Sequence, residues 1–290
     1  MAPSRDNAVC LLTLNTHSLM NGDDQACIRE LARFMVREHV DVAAFQEVNQ
    51  EMNQETVESG TLDGYVPNES GHSIRRGNYA LQLSRELERL GEPFNWTWDF
   101  AHVGYGRFEE GSALFSRRPI FETHTHDISV PPKEGVRLIR RKMLGIQTGP
   151  GPAWFWCFHM GWWDDQKDPF REQWTRAQQL LRQYPGPVWL LGDFNSPSDR
   201  RGEGYDAVTA SGYRDCYLRA LVKDGGDTAP GQIDGWRNAG TGAMRLDLIL
   251  SGQEGKTILS RTVFTGDREP VISDHFGVLD IEEMPETGKE

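Results

Sequence analysis

The chain has 290 residues with 38% hydrophobic content, 13 Phe and 9 Trp, enough apolar material for a substantial core and against a disordered chain. Its 31 Lys and Arg stand against 43 Asp and Glu; the net charge of -12 repels a polyanion and disfavours tight binding of long nucleic acid. No apolar run is long enough to span a bilayer and the first residues lack an apolar signal core, so a soluble, cytoplasmic protein is expected.

Val9 to Leu14 reads as a near-continuous apolar strand running into Asn15-Thr16-His17-Ser18. A helix follows from about Asp23, capped by Asp23 or Asp24, with Cys27, Leu31, Phe34 and Met35 on one face. Val40 to Phe45 is a second buried strand, ending at Gln46-Glu47-Val48-Asn49, and this strand–helix–strand order is an α/β signature. Residues 50 to 76 are polar and irregular, a long surface loop of the kind that covers a site. Tyr79, Leu83, Leu87 and Leu90 mark another amphipathic helix. Short strands come next at Trp96 to His102, Ser112 to Phe115, Ile120 to Ile128, Leu138 to Gln147 and Trp154 to Phe158. Pro169 opens a helix behind Asp168, with Phe170, Trp174, Ala177 and Leu181 inward.

Pro187-Val188-Trp189-Leu190-Leu191 reads as a buried strand with no polar face, and it ends in Gly192-Asp193-Phe194-Asn195. A short helix near Tyr205 to Ser211 and a Gly-rich loop from Asp224 to Gly242 follow. Strands at Arg245 to Leu250, Thr257 to Phe264 and His275 to Ile281 finish the chain before a charged tail. No linker or repeat divides it, so one domain with a core of about 9–281 is expected. Cys10, Cys27, Cys157 and Cys216 form no C-x-x-C pair and read as free thiols in a reducing compartment.

Polar residues stand where apolar strands end. Asp193 and Asn195, two apart in extended chain, point the same way, although Asp and Asn also favour turns. Asn15, Glu47, His159 and Ser273-Asp274-His275 occupy similar positions. Asp247, set among Leu and Ile, is costly to bury unless paired. Its natural partner is His275, with Arg245 as the duller alternative.

Leu14-Asn15, Gln46-Glu47, Gly192-Asp193-Phe194-Asn195, Leu246-Asp247 and Ser273-Asp274-His275 together resemble the ordered motifs of the endonuclease/exonuclease/phosphatase superfamily. The resemblance covers residues 9 to 281 and implies a DNase I-like α/β (α+β) fold, a four-layer sandwich of two packed mixed β-sheets flanked by helices. Within the superfamily the chain looks closest to the maltose 6'-phosphate phosphatases. That likeness rests on Leu12 to Ser18, Phe45 to Gln50, Trp96-Thr97-Trp98, His102 to Tyr105, His159 to Asp164, Ile233 to Trp236 and Val271 to His275. Leu19 stands where Trp is expected and Gly161 where Ser is usual, which bears on the sugar pocket.

Phosphate monoester hydrolysis demands stabilisation approaching ~20 kcal/mol, which a divalent metal and a ring of donors supply. The resemblance implies metal binding by Glu47 with Asn15 and Asp274; hard oxygen donors favour Mg²⁺, with Mn²⁺ able to substitute. It also implies that Asp193 orients and deprotonates water and that Asn195 holds a phosphate oxygen. His275, paired to Asp247, and His159 would donate to the phosphoryl oxygens; whether Asp193 or His275 is the base stays open. Among Arg137, Arg140, Arg141 and Lys142 the resemblance favours Arg141 as a phosphate clamp, against a solvated edge strand. Trp162, Trp163 and Trp236 lie on loops where they stack on a sugar or pack in the core. His17, Asp164 and Asp234 are candidate sugar-hydroxyl contacts, while His72, His124 and His126 read as surface residues.

The expected substrate is therefore a small phosphorylated sugar. A phosphodiesterase with the same core, nuclease or sphingomyelinase-like, is the alternative. Acidic charge argues against the nuclease, and the missing apolar docking hairpin against the lipid enzyme. A catalytically dead binding module would lack at least one of Glu47, Asp193, Asn195, Asp247 or His275, and none is lost.

Overall fold

Two parallel strands carry the first half of the frame. β1 (Ala8–Asn15) and β2 (Val42–Glu51) run side by side with Leu11 opposite Val42 and Asn15 opposite Gln46. Both are almost wholly buried, as central strands covered on two faces must be. Helix α1 (Asp24–Arg37) makes the crossover; the Asp23 carboxylate caps it by accepting from the Ala26 N–H at 3.0 Å. The chain is described here from a computed structural model over residues 8–131, 139–149, 153–231, 233, 235–236 and 242–284.

The remaining elements follow in order. They are α2 (Tyr79–Arg89), β3 (Asn95–Gly104), β4 (Phe108–Ser116), β5 (Ile120–Asp127), β6 (Lys142–Thr148), β7 (Ala153–His159) and α3 (Phe170–Leu181). Then come β8 (Val188–Asp193), α4 (Gly204–Ala210), β9 (Arg214–Asp215), α5 (Cys216–Arg219) and β10 (Val222–Lys223). β11 (Asp247–Ser251), β12 (Thr257–Val263) and β13 (Gly277–Glu283) complete the set. One sheet has the order β10-β12-β13-β1-β2-β4-β3, the other β5-β6-β7-β8-β11-β9.

Val9, Leu11, Val42 and Ala44 of the first sheet meet Phe155, Cys157, Trp189, Leu191 and Ile249 of the second. The Phe155 and Trp189 rings stack there with centroids 5.1 Å apart, and truncating either to Ala would cost ~3–5 kcal/mol. Helices α1 and α2 cover the outer face of the first sheet over Phe45, Trp96 and Phe115, while α3 and α4 cover the second over Phe158 and Leu190. The result is the four-layer, two-sheet sandwich that the motifs imply.

Several boundaries differ from the sequence reading. β2 does not stop at Gln46–Asn49: it continues to Glu51 through a bulge, where pairing with β4 jumps from Phe45–Ala113 to Val48–Gly111. β11 begins at Asp247 rather than Arg245, and β13 at Gly277, so His275 lies on the loop that enters its strand. β6 begins at Lys142; Leu138 lies outside the described residues. The 50–76 loop lines a separate hollow between Thr56 and Ile74 and contributes no residue to the lining of the larger cavity described below. No described helix is long and apolar enough to cross a membrane. All four cysteines are free thiols.

Candidate active site

Strand register assembles the cluster. β7 and β8 run parallel with His159 opposite Asp193, and β11 runs antiparallel to β8 with Asp247 opposite Asp193. Three side chains thus emerge side by side at one end of the second sheet, at the ~4.8 Å strand spacing. Gly192 makes the close approach possible. Its φ is +147°, and a Cβ there would lie 2.0 Å from the Phe158 carbonyl oxygen.

The first sheet supplies the facing half. Asn15, the last residue of β1, donates through Nδ2 to Glu47 Oε1 at 3.0 Å and to Asp193 Oδ2 at 3.2 Å, joining the two sheets. Glu47 sits in the β2 bulge with φ +50°, a left-handed conformation costly for a residue with a Cβ. The strain is held by hydrogen bonds to its carbonyl from the Ser18 and Thr16 hydroxyls at 2.7 and 3.1 Å. Asn195 is also left-handed, at φ +44°. Its N–H donates to Asp193 Oδ1 at 2.8 Å, its Nδ2 to the Met160 carbonyl at 3.0 Å, and its Oδ1 accepts from Trp236 Nε1 at 2.8 Å.

His275 Nδ1 lies 2.9 Å from Asp247 Oδ2, and its Nε2 lies 3.9 Å from Asp193 Oδ2. Burial alone would strip its proton, but the charges of Asp247, Asp193 and Asp274 overcome this and raise it to about 10. Asp193 is pushed up to about 7 by burial and by Asp247, against the pull of His275. His159 has its Nε2 3.8 Å from both Glu47 and Asp193. Burial, then the positive fields of Arg141, His102 and His275, hold it well below the ordinary imidazole range, so it is a neutral donor rather than a cation.

An open cavity of about 770 Å³ lies over this floor, lined among others by Glu47, Glu110, Arg141, His159, Asp193, Asn195 and His275. Its rim is formed by Gly104-Tyr105-Gly106, Ile139, Trp162, Lys167 and Gly235. Arg141 is buried, with its guanidinium 5.7 Å from the Trp162 ring centroid. Glu110 was not anticipated. It emerges from mid-β4 into the cavity, 3.5 Å from His102 Nε2, and burial followed by the Glu47 charge raises it to about 8. The available signal was Glu109-Glu110 inside an otherwise apolar strand, two acids that alternation sends to opposite faces.

The donor set suits a hard divalent cation. Glu47, Glu110 and Asp193 line the cavity, with Asp247 and Asp274 behind them, against the cations Arg141, His275 and, at the rim, Lys167. That acidic excess calls for positive charge held by oxygen ligands. Glu47 is the best placed ligand. Asn15 presents its amide nitrogen to Glu47 and takes the His17 N–H on its oxygen at 3.2 Å, so it would have to turn its amide over to ligate a metal. Asp274 lies on the His17 side, 3.7 Å from His17 Nδ1. Ligand atoms of Asp193, Asp247 and His275 also fall within 4.8 Å of one another.

Not every expected sugar contact reaches the cavity. Trp162 does. Trp163 turns away, packed on Phe170 at 6.0 Å with the Arg171 guanidinium over it at 4.8 Å. Trp236 is buried with Ile233 and Leu246, and it acts by fixing the Asn195 amide rather than by stacking. His17 faces Asn21 and Asp274, and Asp164 is exposed outside the cavity. Arg137 and Asp234 lie outside the described residues.

Among curated proteins no match to the chain is found. Among solved structures, an endonuclease/exonuclease/phosphatase family protein from Leptotrichia buccalis is 27% identical, with TM-score 0.80, over 95% of this chain and 100% of that one. A Bacteroides thetaiotaomicron mannosyl-6-phosphatase (17% identity, TM-score 0.59, 94% and 98% covered) shares the fold. So does a humanized D. rerio TDP2 (14% identity, TM-score 0.60, 95% and 99% covered). The model of the Endonuclease/Exonuclease/phosphatase family matches residues 12–275, spanning the strands that carry Asn15, Glu47, Asp193 and Asp247, and the chain belongs to that family.

Proposed function

We propose that this protein is a divalent-metal-dependent phosphatase that hydrolyses a phosphorylated sugar, with a disaccharide phosphate such as maltose 6'-phosphate as the leading substrate. Family members are hydrolases, so the reading concerns substrate and roles. The observation that carries it is an open cavity of small-molecule size in which a base, an acid, a neutral donor and a guanidinium meet. An overall charge of -12 and an aromatic rim of Tyr105 and Trp162 fit a small polar ligand with apolar ring faces better than a nucleic acid strand.

Asp193 acts as the base. The Asn195 N–H holds one of its oxygens, and a carboxylate raised to about 7 takes a proton from water more readily than an ordinary one. The water oxygen bonds to phosphorus, its proton passes to Asp193, and the bond from phosphorus to the sugar oxygen breaks with its electron pair on that oxygen. His275, kept cationic by Asp247, and His159, neutral, donate to phosphoryl oxygens, and Arg141 grips two at once. Glu47, with Asp274 and a turned Asn15, would hold Mg²⁺ or Mn²⁺, which when bound withdraws charge from the phosphoryl group as a Lewis acid.

The test is a panel of sugar monophosphates, a diester reporter and plasmid DNA offered to the purified protein with Mg²⁺. Phosphate release from hexose and disaccharide phosphates is expected. Diester cleavage or nicking without it would transfer the site to phosphodiester chemistry and overturn the reading.

A further inference from the structure

A second buried cluster lies between the sheets, away from the cavity. Asp280 and Glu282 alternate on β13 and face inward with Val278. On β12, Ser260 opposes Asp280 and Thr257 opposes Glu282; the register shift between Thr257 and Leu259 lets residues three apart turn to one face. Cys216, which opens α5 directly after β9, comes in from the other sheet's edge. Its Sγ and the carboxylate oxygens of Asp280 and Glu282 all lie within 4.8 Å of one another, and all three residues are buried.

Polar groups at this depth are ordinarily paired. Here both Asp280 oxygens, Glu282 Oε1, Thr257 Oγ1, Ser260 Oγ and Trp189 Nε1 lack a hydrogen-bond partner. Asp280 is 1% exposed, and Ser260 and Thr257 are 0%. The two hydroxyls are fully buried and directed at the carboxylates, Ser260 toward Asp280 and Thr257 toward Glu282, without completing a well-formed hydrogen bond.

We propose that Cys216, Asp280 and Glu282 form a structural divalent-cation site, suited to Zn²⁺, that staples β12 and β13 of one sheet to the β9–α5 edge of the other. A thiolate with two carboxylates favours zinc over Mg²⁺ or Ca²⁺, which take oxygen ligands alone. The Ser260 and Thr257 hydroxyls steady the carboxylates. Ligand separations of up to 4.8 Å exceed the roughly 3.5 Å edge of a tetrahedral zinc site, so the side chains turn inward on loading, and the thiol and carboxyl protons leave to solvent. The site is separate from the catalytic one. Asp280 lies opposite Leu11 on β1, four residues and ~13 Å short of Asn15.

Cobalt(II) is the probe. Protein produced with Co²⁺ should bind one ion that survives dialysis and gives a near-ultraviolet thiolate-to-cobalt band. That band should vanish in Cys216→Ser and persist in Cys157→Ser and Glu47→Gln. Asp280→Asn, nearly isosteric, guards against a folding failure in the Cys216 variant: retained metal should fall below a tenth. Strong chelation should lower the wild-type melting midpoint by at least about 5 °C and leave Asp280→Asn unchanged. Absence of the band, a band indifferent to Cys216→Ser, or equal metal retention in Asp280→Asn would each overturn the proposal in favour of protonated carboxyls. None of these readouts depends on turnover.

Discussion

In the proposed mechanism, Asp193 and His275 divide their work by environment. Asp193 must lose a proton to act and is raised to about 7, so kcat/KM should climb with pH up to that region. His275 must keep its proton and is raised to about 10, so the rate should fall beyond it. A pH–rate profile lacking the alkaline limb, or retaining it in His275→Gln, would remove the acid role. Trp236 was expected against a sugar ring, yet its indole N–H holds Asn195 in a left-handed turn. Trp236→Phe keeps the packing and removes that donor. It should lower kcat roughly tenfold to a hundredfold with little change in KM, read by steady-state kinetics. The residues that meet at the cavity floor were legible because polar side chains stand beside apolar strands: Asn15, His159 and Asp193 end theirs, Asp247 begins one, and His275 lies on the loop entering another. The Trp236 role was not, because its partner stands 41 positions away and only the fold joins them. Glu110 escaped notice because its signal, an acid within a strand, reads equally as an edge residue.

At the scale of elements, the bulge in β2 and the glycine ending β8 set the geometry. Neither shows in hydrophobic periodicity, so Glu47 read as a strand end rather than as the peak of a bulge. Gly192→Ala would press a methyl against the Phe158 carbonyl and part β7 from β8. It should destabilise the fold by about 1–3 kcal/mol in denaturant unfolding and, by moving His159 from Asp193, lower activity in the folded fraction. Glu109, on the opposite face of β4 from Glu110, pins the 50–76 loop. Its carboxylate takes Arg75 Nε at 2.7 Å and Nη2 at 3.1 Å, with Gln50 Nε2 at 2.7 Å. Burial would raise its pKa, but Arg75, Gln50 and His72 pull it down to about 2. A folded-state value below the ordinary 4.5 means that the stabilisation is complete above about 4.5 and lost as pH falls through about 2. Glu109→Gln should therefore melt below wild type at pH 7, by about 1.5–3 kcal/mol, with the gap closing across that acid window. A gap independent of pH would assign the effect to packing instead.

For the whole molecule, the two-sheet sandwich explains why residues as distant as Asn15, Glu47, His159, Asp193, Asp247 and His275 share one floor. Strand ends from both sheets open on the same edge, and the Asn15 amide ties them together. The sheets, the helices that flank them and the order of motifs were readable from apolar runs and turn residues. Which loop residues reach the cavity was not, because Trp163 and Trp162 differ only in how the chain packs after β7. On the proposed reading this floor hydrolyses a sugar phosphate with Asp193 as base. The most direct test is orthophosphate release from a disaccharide 6-phosphate with Mg²⁺, wild type beside Asp193→Asn. Turnover by the wild type and a fall of at least about 10³-fold in a variant with unchanged circular dichroism is the predicted result. A variant within tenfold of the wild type would contradict it.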